Sequence, residues 1–193
     1  MTLRGALIWT ALALALAAPL IMAARSPLLE WREPIYIVAG FSGIVALALL
    51  LVQPLLIAGV LPGIPARRVH VWIGAGVVLA VVLHVTGLWI TSPPDVVDVL
   101  LFRSPTPFSV WGALAMWAVF AAALLAILRR RLGLRIWRLG HTLAAVIVVT
   151  GTVVHAWLIQ GTMESLTKGL LCLMVLGAAA WAVGRRGVWR SMR

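Results

Sequence analysis

Residues 69–90 read VHVWIGAGVVLAVVLHVTGLWI, a run in which the two histidines are the only ionisable side chains. About 20 apolar residues are enough for a helix to cross the hydrocarbon core of a bilayer. The whole chain of 193 residues has this character, because 63% of it is hydrophobic, 11% is charged and the mean hydropathy is +1.10. Soluble domains carry about 25% charged residues, and disordered chains are poor in apolar ones, so both classes are excluded. The sequence predicts an all-α membrane protein.

Apolar runs bounded by charge, proline and glycine predict six membrane spans. They cover residues 3–24, 35–59, 69–90, 110–128, 136–160 and 169–184. No linker or low-complexity segment separates them, so residues 1–193 are predicted to form a single domain, a polytopic bundle of six transmembrane helices. The first span could instead be a cleaved signal peptide, because Arg4 precedes its apolar run, but its length favours a retained helix.

The charged residues divide unevenly between the two ends of this predicted bundle. One end, called here the arginine-rich end, holds none of the five acids and 12 of the 16 basic residues. These are Arg4, Arg67, Arg68, Arg129, Arg130, Arg131, Arg135, Arg138, Arg185, Arg186, Arg190 and Arg193. The positive-inside rule places this end and both termini in the cytoplasm, so we expect a multi-pass protein of the cell inner membrane. Orientation thus accounts for the net charge of +11, and the lipid bilayer rather than nucleic acid is the expected partner.

All four histidines of the sequence fall within predicted spans. His70 and His84 lie on the third span, His141 and His155 on the fifth, and 14 residues separate the two members on each span. Fourteen residues make nearly four helical turns, so the two histidines of one span share a face and lie about 21 Å apart along the axis. Both spans begin at the arginine-rich end and therefore run parallel. This predicts an inner pair, His70 with His141, and an outer pair, His84 with His155.

Facing imidazoles on two helices are typical axial ligands of a haem iron, since the macrocycle supplies four further nitrogens. No carboxylate, cysteine or second histidine at one-turn spacing accompanies any of the four, which disfavours a zinc or di-iron site. Each histidine could instead make interhelical hydrogen bonds, but equal spacing at equal depth favours haem. We predict two haems between the third and fifth spans, with His70, His84, His141 and His155 as iron ligands.

Other residues near the histidines are weaker candidates for cofactor binding. Arg67, Arg68 and Arg138 precede the inner pair by two or three residues and could pair with haem propionates, although topology alone would also explain them. Gly74 and Gly151 remove bulk beside the histidines, where either a porphyrin or a neighbouring helix would lie.

The paired spacing His-x13-His, with WRLGH at residues 137–141 after the basic loop, resembles the ferric-reductase-like transmembrane domain. That superfamily includes ferric reductases, NADPH oxidases and the haem-binding membrane subunit of the periplasmic methionine sulfoxide reductase system. The resemblance implies that the inner pair holds one b haem and the outer pair the other. The flavin and NAD(P)H domains of the large reductases do not follow within these 193 residues. The resemblance therefore implies FMN or FAD at the cytoplasmic side or on a partner protein.

We therefore expect a di-haem cytochrome that passes electrons from a cytoplasmic flavin reductase or flavoprotein to a periplasmic acceptor, such as ferric iron, oxygen or an oxidised protein. No general acid, base or nucleophile is visible in the sequence, so whether the chain is itself an enzyme stays open. One alternative is a subunit that serves a periplasmic oxidoreductase such as methionine sulfoxide reductase. Against it, those subunits often lack a histidine that matches His70. A second alternative is a haem-free transporter or assembly protein.

Overall fold

The computed structural model describes residues 2–186, with side chains through residue 184, and every regular element in this range is helical. The α-helices are α1 (Leu3–Ala24), α2 (Pro34–Ile57), α3 (Ala66–Thr91), α4 (Pro93–Leu100), α5 (Pro107–Ile127), α6 (Leu134–Leu158) and α7 (Ser165–Arg186). Short 3-10 turns cover Pro27–Leu29 and Leu128–Arg130. All the α-helices except α4 are long and apolar enough to cross a membrane. The predicted six-span all-α bundle is confirmed, and the chain is a multi-pass membrane protein.

Prolines and glycines set the ends of the helices. Pro34, Pro93 and Pro107 stand in the first turns of α2, α4 and α5, where the missing N–H of proline leaves no helical hydrogen bond unmade. Gly59 and Gly63 have positive φ angles of 68° and 76°, a region open to residues without a Cβ, and they turn the chain from α2 into α3. These residues explain why spans read from the sequence match the helices to within a few residues.

Helix α4 is an element that the sequence analysis missed. It lies in the connection after α3, where the prolines indicated only a chain break. Pro93 opens α4, and Asp95 in its first turn suits the positive end of the helix dipole. The Asp95 carboxylate also accepts a hydrogen bond from Ser92 Oγ at 2.6 Å. With eight residues, α4 is too short for a reliable periodic pattern.

Two helical hairpins form the centre of the bundle. Helix α2 packs along α3, helix α5 packs along α6, and α7 closes against α2 and α6. The largest fully buried side chains belong to α2 and α7 and are Leu56, Leu171 and Val175. In the described part of the chain, α3 and α6 pack much less closely on each other than either does on its hairpin partner. A gap therefore runs between α3 and α6, and the histidine rings project into it.

The charged residues are distributed between the two ends of the bundle as the sequence predicts. The α2–α3 and α5–α6 connections lie at the arginine-rich end, and the connections that carry acids lie at the other, which we call the acidic end. Arg190 and Arg193 lie outside the described residues, as do the side chains of Arg185 and Arg186. The cytoplasmic location of the arginine-rich end stays a prediction.

Candidate functional site

The four histidines meet as two pairs across the gap between α3 and α6. The ring centroids of His70 and His141 are 6.4 Å apart, with an angle of 67° between the ring planes. Those of His84 and His155 are also 6.4 Å apart, at 80°. The equal distances follow from the equal spacing on two parallel helices, so the structure contains both pairs that the sequence predicts.

Backbone carbonyls of the hairpin partners hold both imidazoles of the outer pair. Nδ1 of His84 lies 2.8 Å from the carbonyl oxygen of Ala39 on α2, and Nδ1 of His155 lies 2.9 Å from that of Phe108 on α5. A carbonyl only accepts, so these bonds assign the ring proton to Nδ1 and leave Nε2 with a free lone pair. A metal-ligating histidine commonly has this arrangement.

A glycine one turn beyond each of these carbonyls makes room for the ring. A Cβ atom at Gly112 would lie 2.7 Å from Nδ1 of His155, and one at Gly43 would lie 3.1 Å from Nδ1 of His84. Each glycine stands four residues after the residue that supplies the carbonyl. The two hairpins therefore position their outer histidines by the same local geometry.

Contacts at the arginine-rich end position the inner pair. The indole of Trp137 stacks on the His141 ring, with centroids 5.6 Å apart and planes inclined by 16°. Cζ of Arg129 lies 4.8 Å from the indole centroid, within the range of a cation–π interaction. On the other helix, the Gln53 side-chain amide donates to the backbone carbonyl of His70 at 3.2 Å. A column of Arg129, Trp137 and His141 thus connects the protein surface to the inner pair.

A largely apolar cavity of about 240 Å³ lies beside the outer pair, and both His84 and His155 line it. Helices α2, α3, α4 and α5 supply most of the remaining wall. Lys168 from the first turn of α7 also lines the cavity, is only 7% exposed and donates from Nζ to the Ile159 carbonyl at 2.8 Å. Among the lining residues that the structure describes, Lys168 alone carries a full formal charge.

The weaker candidates from the sequence have different outcomes. Arg67, Arg68 and Arg138 are exposed at the arginine-rich end, and their role towards propionates stays a prediction. A Cβ atom at Gly74 would lie 3.1 Å from a side-chain nitrogen of α2, and one at Gly151 would lie 3.0 Å from a backbone oxygen of α5. Both glycines therefore allow close packing within a hairpin, which is the second of the two interpretations open from the sequence.

The donors in each pair fit a haem iron. Within the described residues, no group of three or more His, Cys, Asp or Glu could surround a metal ion, so two imidazoles are the protein ligands available at each level. Structural zinc takes four protein ligands, whereas haem iron needs only one or two. A centroid distance of 6.4 Å leaves space for one metal atom about 2 Å from a nitrogen of each ring.

Comparison with known families agrees with this geometry. Residues 39–152 match the family described as "Ferric reductase like transmembrane component". The chain belongs to this family. The matched region of this ferric-reductase-like domain begins at Ala39, the carbonyl partner of His84, and includes three of the four histidines, while His155 lies three residues beyond it. As a member of the family, the chain is a component of membrane electron transfer. No curated protein and no solved structure gave a significant match.

Several contacts in this ferric-reductase-like domain escaped the sequence analysis. Neither carbonyl acceptor has a side-chain signature, and the sequence marks Lys168 only as one of the four basic residues outside the arginine-rich end. Trp137 was noted within its motif without a role. Its spacing of four residues from His141 is the signal that could have revealed the stacking, because residues at this spacing are neighbours on a helix.

Proposed function

We propose that this chain is a di-haem b-type cytochrome that conducts electrons across the cytoplasmic membrane. The observation that carries the proposal is the arrangement of its four histidines in two pairs with the same centroid distance of 6.4 Å. His70 and His141 would hold the inner haem, and His84 and His155 the outer one. When bound, each haem supplies a reversible one-electron change at iron.

The residues of the chain supply ligation, orientation and a dry environment. Donation from Nδ1 of His84 and His155 to backbone carbonyls fixes their ring orientations and raises the basicity of Nε2. The apolar lining of the outer cavity excludes water from this level. The two levels are about 21 Å apart along the helices, within a hydrocarbon core of about 30 Å, so together they bridge most of the membrane.

Electrons would enter at the arginine-rich end. Seven arginines in the α5–α6 connection and at the starts of α3 and α6 are exposed: Arg67, Arg68, Arg129, Arg130, Arg131, Arg135 and Arg138. Such a surface attracts a donor of opposite charge, either the phosphate of FMN or FAD or an acidic face of a flavoprotein. Electrons would leave at the acidic end towards a periplasmic acceptor or an oxidoreductase.

The decisive experiment is a reduced-minus-oxidised absorption spectrum of the purified protein, with haem quantified as the pyridine haemochrome. A Soret band, a sharp reduced α band and two haems per chain are expected. His84→Ala and His155→Ala should each leave one haem, and so should His70→Ala and His141→Ala. Leu83→Ala is the matched control, because this neighbour of His84 is 48% exposed and faces away from the site. It should keep both haems.

Two other outcomes would change the conclusion. A parent protein that binds no haem would contradict the cytochrome proposal and favour the transporter or assembly alternative. A parent with one haem that His70→Ala leaves unchanged would contradict the di-haem proposal. That result would favour a subunit serving a periplasmic oxidoreductase.

A further inference from the structure

Lys168 is an unusual cation in this chain. It is the only lysine among the 16 basic residues, and the other 15 are arginines. The seven arginines named above at the arginine-rich end are exposed, whereas Lys168 is 7% exposed. It lies at the acidic end, so the positive-inside rule does not explain its charge. A different reason is needed for a buried ammonium group at this position.

The protein satisfies Lys168 only in part. An ammonium group has three donors, and the Ile159 carbonyl takes one of them at 2.8 Å. Glu164, the acid closest in sequence, is engaged elsewhere, because its carboxylate accepts from the backbone N–H groups of Leu166 and Thr167 at 2.6 and 2.7 Å. The described residues give Nζ no carboxylate partner. Glu164 interacts with Lys168 electrostatically but forms no ion pair with Nζ, so this buried cation lacks a directly bonded counter-charge and the site favours an anion.

The cavity determines where that anion would lie. Lys168 lines the same cavity as His84 and His155, and its other described lining residues carry no full charge of either sign. The low polarity of this wall strengthens the attraction between the ammonium group and any anion in the cavity. The geometry therefore combines two imidazoles suited to a metal with one ammonium suited to an acid group.

We propose that Lys168 binds a carboxylate of the molecule that occupies the outer cavity. The inference rests on the proposed function, and the carboxylate could come from two sources. One is a propionate of the outer haem. The other is a small carboxylate that enters the cavity from the periplasmic side. Either source would place a carboxylate against Nζ, where the lysine charge also favours the reduced state of the nearby iron.

The first measurement is the midpoint potential of each haem in the parent and in Lys168→Met, a variant of similar length without charge. The equilibrium constant for reduction of the outer haem should fall about tenfold. For one electron, this lowers its midpoint potential by about 59 mV. The inner haem should not change. Lys168→Arg keeps the charge and should restore most of the parent potential. Arg103→Met is the matched control, because Arg103 is an exposed cation at the same end, and it should have no effect.

The second measurement identifies the source of the carboxylate. Apoprotein is reconstituted with haem or with haem dimethyl ester, which lacks free carboxylates. If the partner is a propionate, Lys168→Met weakens outer-site binding of haem and leaves binding of the ester unchanged, because only haem offers Nζ a carboxylate, whereas the lysine charge acts on the iron with either cofactor. If the partner diffuses freely, added acetate shifts the outer potential of the parent with either cofactor, and Lys168→Met abolishes that response.

The outcomes separate this inference from the function on which it rests. Two haems per chain with an unchanged outer potential in Lys168→Met would overturn the carboxylate site and leave the cytochrome intact. Absence of haem from the parent would overturn both. If Lys168→Met fails to fold, Lys168→Gln provides the uncharged comparison, and parent-like potentials in that variant would also overturn the site.

Discussion

Gly112 and His155 are in such close contact that the methyl group of an alanine at position 112 would clash with the imidazole ring. A Cβ atom built at position 112 would lie 2.7 Å from Nδ1 and 2.8 Å from Cε1 of the imidazole, closer than real Cβ atoms approach other atoms. The same Nδ1 bonds to the carbonyl of Phe108, one turn earlier on α5. The position of the His155 ring is therefore coupled to the backbone of α5, and the absence of a side chain at 112 is part of the site.

This contact predicts a graded series of alanine variants. Gly112→Ala should displace the His155 ring, break its bond to the Phe108 carbonyl and remove most of the outer haem. Gly43→Ala should have a smaller effect, because the corresponding distance to His84 is 3.1 Å. Gly177→Ala is the control, since no atom lies within 4 Å of a Cβ there. The check is haem per chain in each variant.

Equal haem content in the three glycine variants would show that the outer ring is free to move. A loss in Gly177→Ala as large as in Gly112→Ala would point to general destabilisation. Either result would contradict the coupling between α5 and His155.

The stacked ring at the other level gives a second prediction. Trp137→Leu removes the indole that stacks on His141 and accepts the Arg129 cation, while Trp137→Phe keeps an aromatic surface. Aromatic stacking contributes about 0.5–1.5 kcal/mol beyond its buried area, so Trp137→Leu should weaken inner-haem binding by up to about tenfold. The midpoint potential and content of the inner haem report the change. Trp72→Leu is the control, because Trp72 lies near His70 on the same helix and is 72% exposed.

A selective effect of Trp137→Leu on the inner haem would identify Trp137 as a positioning residue for His141. Similar losses at both haems, or equal effects of Trp137→Leu and Trp72→Leu, would assign the tryptophan to general stability instead.

The number of spans and the histidine pairs could be predicted from sequence for physical reasons. Each span needs about 20 apolar residues, and the stretch 69–90 satisfies this condition without its neighbours. The equal histidine spacing of 14 residues needs only helical geometry to place His70 level with His141. Both features depend on local periodicity, which sequence records directly.

The remaining contacts depend on how the helices pack, and local periodicity does not record this. The carbonyl of Ala39 reaches His84 only because α2 crosses α3 at that height, and any residue type would offer the same carbonyl. Burial of Lys168 requires that α7 begin beside the outer cavity, whereas the sequence indicated only a charge near the end of a span. For the same reason, Gly74 and Gly151 could not be assigned to a porphyrin or to helix packing until their neighbours were known.

A third prediction concerns pH and the start of α7. The hydroxyl and backbone N–H of Thr167, followed by the backbone N–H of Leu166, hold the pKa of Glu164 below its usual range. A depressed carboxyl pKa stabilises the fold above the unfolded-state pKa of about 4.3, and this contribution is lost as the pH falls through the folded pKa. Glu164→Gln should therefore lower the thermal midpoint at pH 7, and the difference from the parent should narrow below about pH 4.

Thermal unfolding of detergent-solubilised parent and Glu164→Gln between pH 3 and pH 8 provides the measurement. Glu33→Gln is the matched control, because Glu33 precedes α2 without a side-chain capping bond. The difference in thermal midpoint between Glu33→Gln and the parent should not follow the pH profile expected for Glu164→Gln. A Glu164→Gln difference that is constant across this range would contradict the capping role.

The last prediction tests the orientation of the bundle, and the burial of Cys172 makes it practical. Cys172 is the only cysteine of the chain and is 3% exposed, so an impermeant maleimide should leave the parent unlabelled. Arg131 and Asp98 are exposed at opposite ends, so Arg131→Cys and Asp98→Cys each place one accessible thiol at a known end. The excess of arginines predicts that Asp98→Cys is labelled in intact spheroplasts and that Arg131→Cys is labelled only after the membrane is permeabilised.

The reverse labelling pattern would mean that the acidic end faces the cytoplasm. Electrons from a cytoplasmic donor would then enter at the acidic end. Labelling of both thiols in intact spheroplasts would place residues 98 and 131 on the same side of the membrane, which requires an even number of crossings between them and contradicts the single crossing by α5.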